Sequence, residues 1–506
     1  MRIRTAAAGV MLAGSALANE PLAAIDWLNE PETRTQLPGT VLLEPPVTGT
    51  AALPQVSVTP LEALLPPIGL VPPSATGLPA DLWRGSNAGE IAHLIESVPV
   101  RGSPAMQALL FTLLLSETRP PASANDRILL ARLDRLLALG ATDPSQALAE
   151  HAGPAASKER FARWFDAALL TGSEDKACAA LTAAPYLSGS YAEQIFCTAR
   201  RSDWPTAALM LETANALALL PREQMDLLDR FLNPDLFELA PPLQRPSDPD
   251  PLTFRLFETI GEPLPTAALP PAFAAADLRD IAGWKAQLEA AERLARGGAL
   301  NPNQYLGLFS ARKPAASGGI WDRVAAVQQL EADLDSGNAA ALARSLPRAW
   351  AAMQQAGTET VFADLFAELL ARAELIGPAK ALAWRIRLLS PLYELAAHDA
   401  PPAAGAEEQF LAALAQGRPG GTEAPSQIAG AIALGFAAEP PVPPEIRNFL
   451  DNGQLGEAIL RSMVLFAQGA DGNLGDLTAA LAAFRAVGLE DTARRAALQL
   501  MLLERQ

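Results

Sequence analysis

Histidine, cysteine, lysine and aromatic residues are scarce in this sequence, and each shortage removes a class of function. Three histidines and two cysteines serve 506 residues. His93, His151 and His398 each stand alone in their segments, and neither His-x-x-x-His nor Cys-x-x-Cys occurs. A zinc site would therefore need unrelated segments to converge, and no metal or cofactor is expected. The glycine patterns that cradle phosphates, GxGxxG and GxxxxGK[ST], are missing, as is the GxSxG turn of hydrolases. Basic residues are outnumbered: 39 Lys and Arg against 56 Asp and Glu give a net charge of −17. No basic cluster of five or more interrupts that acidity, which argues against nucleic acid and against an anionic membrane surface as partners. Only five of the cations are lysine, a bias read as compositional. No stretch after the N-terminus reaches eighteen uninterrupted apolar residues, so no membrane insertion is expected there.

What the chain has in excess is alanine and leucine. These are the strongest helix formers, and runs of β-branched or aromatic residues are rare, so the fold is expected to be all-α. The first 18 residues read as a signal peptide: Arg2 and Arg4, a weakly apolar stretch from Thr5 to Ser15, then the small-x-small site Ala16-Leu17-Ala18. Cleavage there would leave a chain of charge −17 − 2 = −19, periplasmic or secreted. Residues 19–80 follow with a different texture. Asn19 to Pro79 holds twelve prolines, one aromatic residue and seven charges. Such proline density cannot propagate a helix. The segment is expected to be extended or disordered, although Val56, Val58, Leu64, Leu65, Ile68 and Leu70 would let it lie as a strap along a helical body.

Beyond Asp81, helix-length apolar patterns of mostly twelve to twenty residues alternate with connectors of two to eight. Pro-rich breaks at Leu239–Pro251 and around 399–425 divide them into helical blocks at 81–240, 251–398 and 425–506. Long helices are expected at Asp280–Arg296, Trp321–Leu334, Asn338–Gln355, Glu359–Leu375 and Pro378–Ala397, with a closing hairpin of Asp476–Val487 and Glu490–Glu504. Asn125 or Asp126, and Ser202 or Asp203, are expected caps. This grammar is that of an α-solenoid or superhelix of antiparallel helix pairs, each burying its apolar face against its neighbours. Gly-x-x-x-Ala turns at Gly337–Ala341 and Gly377–Ala381 resemble those of tetratricopeptide superhelices, at the level of architecture. The cysteine-bearing stretch, PLTFRLFETIGEPLPTAALPPAF and GWKAQLEAAERLARGGAL also resemble a group of uncharacterised secreted helical proteins from Gram-negative bacteria. That resemblance implies a helical fold and carries no activity.

Two short phrases imitate catalytic motifs. Ser173-Glu174-Asp175-Lys176 matches the S-x-x-K of penicillin-recognising enzymes, but its partner motifs are missing, and Ser173 fits better as a helix cap. Glu96-Ser97 looks like the catalytic pair of lytic transglycosylases, but lacks the downstream Gly-Leu-Met-Gln and meets Pro99. Neither Glu96, Ser173 nor any histidine is expected to be catalytic.

The two cysteines point to a structural bond. Cys178 and Cys197 flank the turn Pro185–Gly189, and their midpoint, 187.5, falls inside it. In a helical hairpin the two sulfurs are then level. Ala177, Ala179, Ala180, Ala183 and Ala184 thin the first helix enough for the close approach a disulfide needs, and an exported protein meets oxidising conditions. The expected function is an extracytoplasmic helical-repeat scaffold binding a protein or cell-envelope polymer. The other class is a helical carbohydrate-active enzyme, which would show a groove with paired carboxylates and flanking tryptophans.

Overall fold

The computed structural model describes residues 66–121, 125–279, 281–401 and 404–503. The signal peptide expected at 1–18 and the Pro-rich segment up to residue 65 lie outside them. Within the described residues there are twenty-five helices and no strand, only two isolated bridges. Consecutive helices pack as adjacent pairs: Thr142–His151 with Lys158–Thr171, Ile320–Asp335 with Ala339–Ala356, Glu359–Arg372 with Gly377–Leu388, and Leu455–Ala470 with Leu474–Ala486. The chain is an all-α helical solenoid.

Local chemistry places most helix ends where they are read from sequence. Asn338 caps Ala339–Ala356, its side chain accepting from the amides of Ala340 and Ala341. Asp203 caps Trp204–Ala216 through the Thr206 amide, with Pro205 in the first turn. Other ends differ. The helix expected from Asp280 starts only at Trp284, after Gly283. Pro378–Ala397 is two helices, Gly377–Leu388 and Tyr393–Ala397. Pro391 restricts Ser390, and the Ser390 hydroxyl donates to the Arg387 carbonyl and accepts the Leu392 amide. Asp126 occupies the cap position of Arg127–Ala138 without capping it. Its carboxylate is taken by Arg160, at 2.8 Å from Nε.

An open solenoid would leave its first and last helices unpartnered, but here the two ends meet. The Pro104–Leu115 helix packs against Glu490–Leu502, where the Gln499 side chain accepts the Ala105 amide at 2.7 Å. Nearby, the Gly456 amide donates to the Leu82 carbonyl, and Arg461 pairs with Glu90 at 2.8 Å. The Trp83 ring lies against Gly456 so closely that a Cβ there would stand 2.4 Å from the indole. Glycine is what lets the seam close. The Pro104–Leu115 helix is mostly apolar, with Gln107 and Thr112 its polar residues, and is largely enclosed, with Met106, Leu110, Leu113 and Leu114 fully buried. The largest hydrophobic cluster includes Leu110, Phe254, Trp384 and Phe466, so it draws on all three helical blocks; a second lies within Ala274–Leu389.

The last described part of the Pro-rich stretch docks as a strap. Ile68 exchanges backbone hydrogen bonds with Thr118, and the amides of Leu70 and Val71 donate to the Leu115 carbonyl. A single helical turn, Pro73–Thr76, interrupts it. Gly69 is required at the contact, because a Cβ would sit 2.3 Å from the Ser116 backbone. Arg132 fixes the strap from below, its Nη1 donating to the Ile68 carbonyl at 2.9 Å.

Candidate functional site

Residues 174–239 combine a staple, a buried ion network and an unusual surface. Cys178, on Glu174–Ala183, and Cys197, on Tyr191–Arg200, form a disulfide with Cα atoms 4.9 Å apart. The turn between them is built by a 3-10 segment, Pro185–Leu187, and by Ser190, whose hydroxyl caps the second helix at the Glu193 amide. Both sulfurs are buried. Of the five alanines expected to thin the first helix, Ala177 is buried and Ala180 and Ala184 are half-buried, whereas Ala179 and Ala183 face solvent. One small residue beside the cysteine is enough for the approach.

One turn before Cys178, Glu174 is completely buried. Its Oε1 accepts from Arg255 at 3.0 Å and pairs with Arg200 at 3.5 Å. Arg255 also binds Glu258, which holds Arg279 at 2.5 Å. The network joins the disulfide hairpin to the Pro251–Thr259 helix. Sequence reasoning missed it, since Glu174 and Arg255 are 81 residues apart and no local pattern links them. Ser173 stands at the cap position of Glu174–Ala183 but does not cap it. Its hydroxyl is engaged by Gln146 and Thr171 instead.

The hairpin is followed by Trp204–Ala216, which packs only on its two sequence neighbours, Tyr191–Arg200 and Arg222–Leu232, among the stronger helix contacts. Its outer face exposes Trp204 and Leu209 among Thr206, Glu212, Thr213 and Asn215. Of fourteen exposed large hydrophobic residues among those described, eight fall between 186 and 239, including Trp204, Leu209, Leu217, Leu236 and Leu239. Leu209 and Leu217 are 62% and 63% exposed, far beyond what scattered surface leucines require. The same stretch carries six exposed acids, Asp203, Glu212, Glu223, Asp226, Asp235 and Glu238. Among exposed arginines, Arg200 is held by Asp175, which leaves Arg201 and Arg222. The stretch 186–239 thus exposes large apolar residues together with acids.

A second surface feature lies beside Glu96. This open groove of about 610 Å³ includes Glu96, Arg127, Leu130, Ala131, Asp134 and Glu159 in its lining, and no tryptophan or tyrosine. Asp134 is paired with Arg163 at 2.9 Å. The groove thus has carboxylates but not the aromatic platforms of a sugar-binding cleft. His93, His151 and His398 are all exposed, and no group of three or more His, Cys, Asp and Glu among the described residues could hold a metal ion. No described helix is long and apolar enough to cross a membrane.

No family model, curated protein or solved structure matches this chain. Function has to be read from its own surfaces.

One largely desolvated acid, on the helix that packs against Glu174–Ala183, has a titration consequence. Asp166, on Lys158–Thr171, is pushed up to about 7 by burial, with Glu193 and Asp250 adding repulsion and Arg163 opposing it. A carboxyl whose folded value is raised contributes stability that is complete below its unfolded value, 3.8, and is lost as pH rises through about 7. Asp166→Asn is therefore expected to stabilise the protein at pH 8 by about 1–2 kcal/mol, discounted for partial exposure, and to change little at pH 4. Urea unfolding across that range checks this; an equal effect at both ends would show that the charge is not the cause.

Proposed function

We propose that this protein is an extracytoplasmic helical-repeat scaffold that binds a partner protein through the large apolar residues exposed between 186 and 239, taken together as a patch. The observation that carries the reading is the concentration of exposed Trp204, Leu209, Leu217, Leu236 and Leu239 on a short stretch of a chain whose other large apolar residues are mostly buried. Several further features support it. A disulfide fits an oxidising compartment, and it stiffens the base of the segment that bears the patch. Aliphatic residues predominate over aromatic ones in the patch, which suits a protein surface better than a polysaccharide. The acids of the same stretch select a partner whose apolar face is flanked by Lys or Arg, and they oppose a second copy of this chain, which would bring like charges together. The groove beside Glu96, without aromatic platforms, gives less support to a glycan-cleaving enzyme.

The test uses a synthetic amphipathic Leu/Lys helix and its Leu/Glu counterpart as probes. The wild-type chain is expected to bind the basic helix, and Leu209→Ser with Leu217→Ser to weaken that binding at least tenfold without altering charge. Equal binding by the variant would remove the patch from the account, and binding of the Leu/Glu helix would remove the role of the acids. A concentration-dependent dimer dissolved by the same variant would replace the partner with self-association.

A further inference from the structure

Where the two ends of the solenoid meet they leave a second cleft, of about 420 Å³, between the docked strap, the Pro104–Leu115 helix and the Glu490–Leu502 helix. Its volume lies in the ~300–1,000 Å³ range of small-molecule sites. The walls are mixed: Val71 and Leu78 from the strap and Leu109, Phe111 and Leu115 from the Pro104–Leu115 helix stand beside Thr76, Thr112 and Thr492. One cation shares this lining. Arg495 lines the cleft, and its Nε is buried with no hydrogen-bond partner. Its neighbour in sequence, Arg494, is engaged by Glu394 and Glu490; Arg495 has no ion pair among the described residues. Two acids stand near it. The Asp491 carboxylate, also in the lining, accepts the Tyr393 hydroxyl at 2.8 Å. Asp364 senses the charge of Arg495 without pairing to it, and burial shifts its carboxyl up to about 6, towards the neutral form.

Nε itself is covered by protein, but the terminal guanidinium nitrogens of the half-buried Arg495 have no ion pair among the described residues. An anion delivered with its own apolar body would engage them while covering the leucine and valine part of the wall. We propose that this cleft binds an unbranched apolar monocarboxylate, with its chain against Val71, Leu78, Leu109 and Leu115 and its carboxylate on Arg495. The site is separate from the patch at 186–239 and does not rest on the scaffold reading. A medium-chain fatty acid has the required chemistry. The docked strap forms one wall, so occupancy would also hold the strap in place.

Calorimetric titration of the full chain with decanoate and with 1-decanol tests the assignment. Decanoate is expected to bind at least tenfold more tightly than the alcohol, and Arg495→Gln to bring the acid down to the level of the alcohol. Ala108 is an exposed residue in the cleft lining, so Ala108→Trp fills the space without touching the core. It is expected to abolish binding of both compounds with Arg495 intact. The proposal is overturned if wild-type protein binds neither compound, if acid and alcohol bind alike, or if Ala108→Trp leaves decanoate affinity unchanged. A tetraleucine peptide with a free C-terminal carboxylate that outcompetes decanoate tenfold would overturn the fatty-acid assignment in favour of a peptide terminus.

Discussion

Replacing Arg132 with methionine is expected to lower the free energy of unfolding by about 3–5 kcal/mol. The residue is 2% exposed and has no carboxylate partner among the described residues. Its guanidinium instead donates to three backbone carbonyls: Leu114 at 2.6 Å, Ser116 at 2.9 Å and Ile68 at 2.9 Å. The first two are at the C-terminal end of the Pro104–Leu115 helix, where unpaired carbonyls and the negative end of the helix dipole favour a cation. The third belongs to the strap. Burial shifts Arg132 down to about 10, so it remains charged at neutral pH. Methionine would fill most of the volume but leave the Leu114 and Ser116 carbonyls without this donor and the Ile68 carbonyl with only the Thr118 amide, at about 1–3 kcal/mol per buried acceptor before water relieves part of the cost. Lysine should recover only part, because one ammonium cannot span three carbonyls. Urea unfolding measures the loss, and thermolysin cleavage at Leu70 reports release of the strap. A loss below about 1 kcal/mol, with Leu70 still protected, would mean that the strap is held by its backbone contacts alone.

Removing the disulfide, by Cys178→Ala with Cys197→Ala, is expected to cost about 3 kcal/mol, the chain-entropy value for a closed loop of about 20 residues. The cost should fall locally. Arg200 still bridges to Asp175 and Glu174 across the same two helices, so the hairpin should form without its staple but open more readily. Proteolysis within 186–239 should quicken more than cleavage elsewhere. Alkylation of denatured, unreduced wild-type protein should find no thiol. Two reactive thiols per chain in material made in an oxidising compartment, or a stability change below about 1 kcal/mol in the variant, would contradict this account.

The disulfide was legible because its determinants are local: two cysteines, a turn midway between them and a small residue beside one of them. The caps at Asn338 and Asp203 were legible for the same reason. Asp126 and Ser173 show where that reasoning fails. Each has the right residue type at a helix start, yet a distant side chain, Arg160 in one case and Gln146 in the other, competes successfully for its oxygen. The arginine excess, read from composition as a bias, acquires a structural use as well. Arg132, Arg135, Arg293, Arg296 and Arg485 all donate to backbone carbonyls, mostly at helix ends. A five-donor planar fork does this better than an ammonium.

By itself the sequence determined the secondary-structure class, most ends of the few long helices for which it set bounds, and the covalent link, because helix propensity, capping and proline placement act over a few residues. It also showed that zinc-finger, nucleotide-binding and hydrolase patterns are missing. Only the tertiary structure decided that helices near the two ends of the described chain meet, that Glu174 is buried among arginines, and that large apolar residues of Trp204–Leu239 face solvent. Amphipathic periodicity says that a helix has an apolar face, but not whether another helix covers it. That depends on packing between residues far apart in the chain, where one glycine, Gly456 under Trp83, is enough to let the two ends close.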